Sequence, residues 1–101
     1  MFRDRIRAKY RELTPSFSKL ADFILQEPLD AAFMTATEMA QRMDVDAATV
    51  VRFAQTIGYS GFRELIKEIQ RIVKAELTAS YKAGLGAQGG QDDVGLFQSL
   101  L

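Results

Sequence analysis

The side chains predicted to contact nucleic acid lie between residues 47 and 67. Arginine and lysine bind guanine or phosphate oxygens, glutamine pairs with adenine, and small or apolar side chains approach thymine methyl groups. Hydroxyl groups and backbone N–H groups bind phosphate oxygens. The residues of these types are Ala47, Ala48, Thr49, Val51, Arg52, Gln55, Thr56, Ser60, Arg63 and Lys67. Their chemistry predicts a surface that binds duplex DNA.

A short helix is predicted to begin at Ala36, just before this surface. Thr35 and Glu38 have the Ser/Thr-x-x-Glu spacing of a capping box, which satisfies two backbone N–H groups at a helix start. The apolar face of this helix consists of Met39, Ala40 and Met43. Ala40 is small enough for a second helix to cross closely at that point.

A second helix is predicted over residues 47–57. Asp46 stands in its N-cap position, where aspartate stabilises a helix by about 1 kcal/mol. Its buried stripe repeats at i, i+3, i+4 and i+7 and consists of Val50, Phe53, Ala54 and Ile57. Gly58 follows, where a helix commonly ends. The two helices, joined through Met43–Val45, predict a helix-turn-helix over residues 36–55 whose second helix enters a major groove.

Two acidic residues of the turn are unusual for this motif. Asp44 occupies the position that often needs a left-handed backbone and therefore glycine, although aspartate tolerates that conformation better than most residues. Asp46 stabilises the helix as a cap, but its negative charge at the DNA-facing end repels phosphate. The sequence leaves open which effect of Asp46 dominates.

Each proposed contact has a plainer alternative. Arg52 could form a surface salt bridge with Glu38 or Asp46, and Thr49 could bond its own backbone. Gln55 and Thr56 could be an exposed polar face, and Arg63 and Lys67 solvated charges. The basic residues of the N-terminal helix are interpreted as solubility charges or as contacts to another part of the protein; they are Arg3, Arg5, Arg7, Lys9 and Arg11.

The rest of the chain is also predicted to be helical. Apolar residues at helical spacing indicate a helix over residues 2–13, a second that starts at Thr14-Pro15 and ends near Glu27, and a long amphipathic helix over residues 62–77. Residues 29–34 are expected to form a short connection of about one turn that carries Leu29 and Phe33 into the core. No segment alternates with period two, so the predicted fold is an all-α five-helix bundle containing a homeodomain-like helix-turn-helix.

Composition excludes several classes of function. The 101 residues are 48% hydrophobic, which suits one small domain, and they include no cysteine and no histidine. We therefore expect no disulfide, no metal site and no cofactor. The sequence lacks a nucleophile with a partner base, a glycine-rich phosphate loop and paired carboxylates, so we predict that it is not an enzyme. It has no signal peptide and no apolar run of about 20 residues, and we expect a cytoplasmic protein without membrane association.

Composition changes near residue 81. The run AGLGAQGGQ is glycine-rich and predicts a flexible linker, and the apolar residues from Val94 resemble the start of another domain. We therefore assign residues 1–80 to the DNA-binding domain. Residues 81–101 are assigned to the linker and to the start of a missing C-terminal domain.

Five stretches carry a resemblance to a known family. They are Leu13–Ser16, Ala21–Leu25 with Pro28, Glu38–Ala40, Ala48–Phe53 and Ile57–Phe62. Together they make the chain similar to the N-terminal domain of the RpiR family of bacterial transcriptional regulators. The family usually has serine where Asp46 stands here, which affects the expected phosphate contacts but not the fold.

The resemblance implies a five-helix domain that binds palindromic operators as a homodimer. It also implies a C-terminal sugar isomerase (SIS) domain that binds a phosphorylated sugar effector and controls genes of sugar metabolism. No residue of this chain carries that sensing function.

A second hypothesis is a helical dimerisation or protein-interaction module without DNA binding. Zero net charge and the amphipathic last helix favour it. The stripe from Leu65 to Leu77 is expected to pack on the core at first and to be available to a second copy beyond Ile72. The small, polar face around Arg52 and Gln55 argues for DNA, because a protein groove needs apolar anchors there.

Overall fold

The structure is a computed structural model that describes residues 1–88 of the chain, and side chains up to residue 83. Its helices are α1 (Phe2–Lys9), a 3₁₀ turn (Tyr10–Glu12), α2 (Pro15–Gln26), α3 (Pro28–Ala32), α4 (Ala36–Met43), α5 (Ala47–Thr56) and α6 (Phe62–Gln88). No strand is present over this range. The predicted all-α fold is confirmed: the five predicted helices are present, and α3 is an additional short one.

Local signals at two helix starts act as the sequence predicts. The Thr14 hydroxyl accepts a hydrogen bond from the backbone N–H of Phe17 at 3.3 Å, with Pro15 in the first turn of α2. At α4 the capping box is complete. The backbone N–H of Glu38 donates to the Thr35 hydroxyl at 3.1 Å, and the N–H of Thr35 donates to the Glu38 carboxylate at 2.9 Å.

The core lies between α6 and the other helices, with α6 packed along α1, α3 and α5. Its largest fully buried side chains are Phe2, Ile6, Leu20, Ile24, Met39, Val50, Phe53, Leu65 and Ile69. The rings of Phe17 and Phe53 meet edge to face, with centroids 5.7 Å apart, which joins α2 to α5. This core fixes the helix-turn-helix on the rest of the domain.

The connection before α4 differs from its prediction. Leu29 is 39% exposed and Phe33 is 65% exposed, so the expectation that both enter the core was wrong. Pro28 starts α3 directly, and the helix turns Ala31 and Ala32 inward instead. Their small side chains let α6 approach closely, and the Gln70 amide donates a 2.8 Å hydrogen bond to the Ala32 carbonyl.

Helix α6 extends beyond its predicted apolar stripe and is described as far as Gln88. The first residues of the segment assigned to a linker are therefore helical, because each residue added to an existing helix contributes one backbone hydrogen bond without a new nucleation cost. The rest of that segment, including the apolar residues from Val94, lies outside the described residues. Within the described part of the chain, no helix is long and apolar enough to cross a membrane.

Arg3 does more than add solubility. Its guanidinium forms two hydrogen bonds with the Glu76 carboxylate, at 2.8 and 3.1 Å, and so ties α1 to α6. This pair lies 73 positions apart in sequence. The interpretation of Arg3 as a solubility charge was therefore wrong. The sequence did not indicate this contact because no local pattern reveals such a distant partner.

Candidate nucleic-acid interface

Helices α4 and α5 pack against each other across a tight turn. Ala40 is 4% exposed in the core of this pair. The chain reverses through Asp44, whose φ and ψ of 58° and 50° are left-handed, and the N–H of Val45 bonds to the Ala40 carbonyl at 2.9 Å. The predicted left-handed aspartate is confirmed, so this helix-turn-helix forms without glycine in its turn.

Asp46 occupies the N-cap position of α5, but its side chain makes no capping hydrogen bond. The N–H of Thr49, which such a cap would engage, bonds instead to the backbone carbonyl of Asp46 at 3.0 Å. The expected stabilisation by the Asp46 side chain was therefore wrong. Its carboxylate is exposed beside that of Asp44 in a shallow depression also lined by Ser16 and Thr49. Two negative charges at this end of α5 oppose phosphate binding there.

The outer face of α5 contains the residues that the sequence placed on it. Ala47, Ala48, Arg52, Gln55 and Thr56 are exposed, whereas Thr49 and Val51 are half-buried at its edges. The opposite face is fixed in the core through Val50, Phe53 and Ala54. The helix thus presents one continuous surface of small and polar side chains.

The hydrogen bonds of Arg52 are made with residues of α5 and not with an acidic side chain. Its guanidinium donates to the Thr49 hydroxyl at 3.3 Å, and the Thr56 hydroxyl donates to the Arg52 carbonyl at 2.9 Å. Neither Glu38 nor Asp46 forms an ion pair with Arg52 in the part of the chain that the structure describes. The guanidinium therefore keeps most of its donors available.

The segment after α5 has internal partners for two of the predicted contact residues. The Gln55 amide donates to the Ser60 carbonyl at 3.3 Å. The Ser60 hydroxyl and backbone N–H both donate to the Glu64 carboxylate, the N–H at 3.3 Å. These hydrogen bonds hold the pKa of Glu64 below its ordinary value. Both hydrogen-bond donors of Ser60 are therefore bound to a residue in the first turn of α6.

Arg63 and Lys67 are exposed at one rim of a groove that the sequence did not predict. The groove lies between α6 and the start of α4, and its other lining residues are Met34, Thr35, Ala36, Phe62, Ile66 and Gln70. Its floor is largely apolar and its α6 rim is cationic. Both cations therefore lie next to the first helix of the helix-turn-helix.

Arg5 is a structural contact that sequence reasoning missed. Its guanidinium donates to the Gly58 carbonyl at 2.7 Å and lies 4.5 Å from the centre of the Tyr59 ring. Tyr59 is buried, and burial together with the nearby Glu68 carboxylate raises the pKa of its hydroxyl. Arg5 thus fixes the turn that follows α5.

The sequence of this domain matches a described family. The profile of the helix-turn-helix domain of the rpiR family matches residues 2–76. The HTH-type transcriptional regulator YfhH of Escherichia coli is 41% identical over 61 residues, which cover 60% of this chain and 22% of YfhH.

Two other transcriptional regulators align over a longer part of the chain. An HTH-type transcriptional regulator of Caldanaerobacter subterraneus is 34% identical over 89 residues, covering 88% of this chain and 30% of that protein. The regulator HexR of Pseudomonas aeruginosa is 32% identical over 90 residues, covering 89% and 30% of the two chains. The chain therefore spans less than a third of the length of these relatives.

The family match runs from the start of α1 through most of α6, and so includes the whole core and the helix-turn-helix. The relatives are described as transcriptional regulators, which agrees with a helix-turn-helix domain. The chain belongs to the rpiR family of helix-turn-helix domains of transcriptional regulators.

Proposed function

We propose that this domain binds specific duplex DNA sequences as the reading module of a bacterial transcriptional regulator, with α5 in the major groove. The observation that carries the proposal is the outer face of α5. There Arg52 and Gln55 stand among small side chains, and no acidic residue neutralises Arg52 within the described chain. A major groove admits such a helix and offers distinct base-edge patterns to it.

The base contacts follow from side-chain chemistry. Ala47 and Ala48, in the first turn of α5, approach the bases closely and meet thymine methyl groups. Val51 extends this apolar contact. Arg52 donates to guanine or to a phosphate, and Gln55 pairs with adenine after releasing the Ser60 carbonyl. Each correct bidentate contact discriminates against a wrong base by about 1–3 kcal/mol.

The remaining residues contact the backbone. Thr49, Thr56 and Ser60 offer hydroxyl groups to phosphate oxygens, whereas Arg63 and Lys67 offer positive charge. Thr56 has one hydroxyl hydrogen and must release the Arg52 carbonyl to donate it. Ser60 can do so only by giving up its hydrogen bonds to Glu64, so its contribution is smaller than its hydroxyl alone suggests. We expect Arg63 and Lys67 to supply more of the affinity, since charged contacts dominate binding to phosphate.

We extend the proposal to a homodimer on a palindromic operator, with half-sites about 34 Å apart. In this proposal the regulator acts in the cytoplasm on genes of sugar or sugar-phosphate metabolism, and a phosphorylated sugar binds a C-terminal SIS domain. The support is the RpiR resemblance. Val73 is buried within its own chain. Half-buried Ile72 and Leu77 and exposed Leu29 and Phe33 are apolar residues that remain available to a second copy.

Exposed Phe33 and Leu29 also favour the alternative of a protein-interaction module without DNA binding. Salt dependence separates the two functions, because binding to phosphates weakens steeply as salt rises whereas an apolar interface does not. Retention of duplex DNA at low salt and its release at higher salt support the DNA module. Absence of retention by both the chain and a dimeric fusion of it supports the alternative.

The test is selection from a random duplex pool with the 101-residue chain at two salt concentrations. Arg52→Ala is the variant, and Arg11→Ala is its control, an exposed arginine outside the helix-turn-helix. The proposal predicts an enriched palindromic motif with the wild type and the control, and none with Arg52→Ala. A leucine-zipper fusion supplies dimerisation if the isolated chain retains nothing, and failure of the fusion as well contradicts the proposal.

A further inference from the structure

Helix α6 exposes a row of cations beyond the predicted DNA contacts. We define the cationic ridge as Arg63, Lys67, Arg71, Lys74 and Lys82, all of which are exposed. At about 100° and 1.5 Å per residue, they fall within an arc of about 100° and span roughly 28 Å of the helix axis. The apolar core lies on the opposite side of α6, at Leu65, Ile69 and Val73.

The acidic residues of α6 in the described chain are engaged elsewhere. Glu64 accepts both donors of Ser60, and Glu76 accepts two hydrogen bonds from Arg3. Glu68 is half-buried and lies close enough to Tyr59 to raise the pKa of that hydroxyl. Within the described chain, none of these carboxylates forms an ion pair with a ridge cation.

None of the ridge cations forms an ion pair with a residue that the structure describes. Arg71 makes only a weak contact, with its guanidinium 3.9 Å from the Met1 sulfur. The zero net charge of the sequence therefore conceals a strongly positive strip along one helix. A row of unpaired cations on one helix face is the electrostatic signature of a site for a polyanion.

The ridge is continuous with the predicted interface. Arg63 and Lys67 line the groove beside Thr35, at the start of the helix that crosses the DNA backbone in helix-turn-helix docking. Arg71 and Lys74 follow one and two helical turns further along. A span of roughly 28 Å corresponds to about eight base pairs of B-DNA, so the ridge is long enough to reach phosphates outside the base pairs that α5 contacts.

We propose that Arg71, Lys74 and Lys82 bind the phosphodiester backbone of DNA that flanks the sequence read by α5. This inference rests on the proposed function and adds a second, sequence-independent part to the interface. Its contribution is to affinity and salt dependence, because phosphate contacts carry no base information. Sequence preference stays with α5.

The test compares the double variant Arg71→Gln/Lys74→Gln with a charge-matched control, Arg11→Gln/Lys19→Gln, whose residues are exposed on other segments. Binding is measured against a short duplex that contains only the selected site and a long duplex with flanks on both sides. Thermal unfolding confirms that both variants fold.

On the long duplex, loss of two phosphate contacts reduces the slope of log K against log salt by about 1.8. The affinity lost between about 50 and 200 mM salt is then roughly twelvefold smaller than for the wild type. Affinity for the short duplex and the selected sequence should not change, and the control should behave as the wild type. An unchanged slope and affinity on the long duplex overturn the ridge proposal.

Failure of the ridge and failure of the proposed function are distinguishable. If the wild type binds long duplex without sequence preference and the double variant lowers the slope, the ridge proposal stands and base reading by α5 fails. If sequence preference is present and the slope is unchanged, base reading stands and the ridge fails. Absence of DNA binding at low salt by the chain and by its zipper-fused dimer overturns both.

Discussion

The Arg5 guanidinium donates a 2.7 Å hydrogen bond to the carbonyl of Gly58, across 53 positions of sequence. The same group lies over the Tyr59 ring at 4.5 Å. It therefore couples α1 to the turn that separates α5 from α6. The orientation of the face proposed to read DNA depends in part on a residue far from it in sequence.

Replacing Arg5 tests this coupling. Arg5→Ala removes a charged hydrogen bond and a cation–π contact, and because Arg5 is exposed we expect a loss of about 1 kcal/mol in the free energy of unfolding. Urea denaturation measures it. Arg7→Ala, an exposed arginine on the same helix, is the control and should stay within about 0.5 kcal/mol of the wild type. Equal effects of the two variants would show that the Arg5 contacts contribute no stability.

Gly58 cannot be replaced without cost. Its φ is +102°, and a Cβ there would lie 3.0 Å from a guanidinium nitrogen of Arg5. Gly58→Ala should therefore lower the free energy of unfolding by about 1–2 kcal/mol, through backbone strain and displacement of Arg5. Gly61→Ala is a matched control, because nothing lies within 4 Å of a Cβ added there. A Gly58→Ala variant as stable as Gly61→Ala would refute the turn geometry.

Acid should weaken the start of α6. Hydrogen bonds from Ser60 lower the pKa of Glu64, so its carboxylate stabilises the fold above its ordinary pKa near 4.5. That contribution is lost as pH falls through the lower, folded-state pKa. Urea denaturation across this range should show the wild type losing its advantage over Glu64→Gln as pH falls. In a Ser60→Ala background, the stability difference caused by Glu64→Gln should be smaller. A stability difference between the wild type and Glu64→Gln that does not change with pH would exclude the Ser60–Glu64 linkage.

Side chains around α3 should respond according to their burial. Phe33 is 65% exposed, so Phe33→Ala should change the free energy of unfolding by less than about 0.5 kcal/mol. Ala31 is fully buried, and Ala31→Leu should destabilise by about 1–3 kcal/mol because the added methyl groups have no space against α6. Thermal or urea unfolding of the two variants is sufficient. A larger loss of unfolding free energy in Phe33→Ala than in Ala31→Leu would place Phe33 in the core, as the sequence alone suggested.

Local rules predicted the features that depend on neighbouring residues. Thr14-Pro15, the Thr35–Glu38 capping box and the left-handed Asp44 were all predicted correctly, because each depends on residues within one turn of the chain. The stripe ending at Ile57 was also predicted, since helical periodicity fixes which side of α5 is buried.

Features that depend on distant residues were not predictable in this way. Arg3 and Arg5 have partners that only the assembled fold brings near. Leu29 and Phe33 are apolar, but the helix that starts at Pro28 gives the inward positions to Ala31 and Ala32. At Asp46 a backbone carbonyl competes for the N–H that the side chain was expected to cap. DNA contact by the outer face of α5 stays a prediction.

One affinity comparison tests the central claim most directly. Binding of the zipper-fused wild type and the corresponding Arg52→Ala variant is measured on the selected operator and on a scrambled duplex of the same length at one salt concentration. We predict that the wild type binds the operator at least about a thousandfold more tightly than the scrambled duplex. Arg52→Ala should lose about 1–3 kcal/mol on the operator and much less on the scrambled duplex. An equal loss on both duplexes with Arg52→Ala would show that Arg52 contacts phosphate and not a base. Equal affinity of the wild type for both duplexes would contradict base reading by α5.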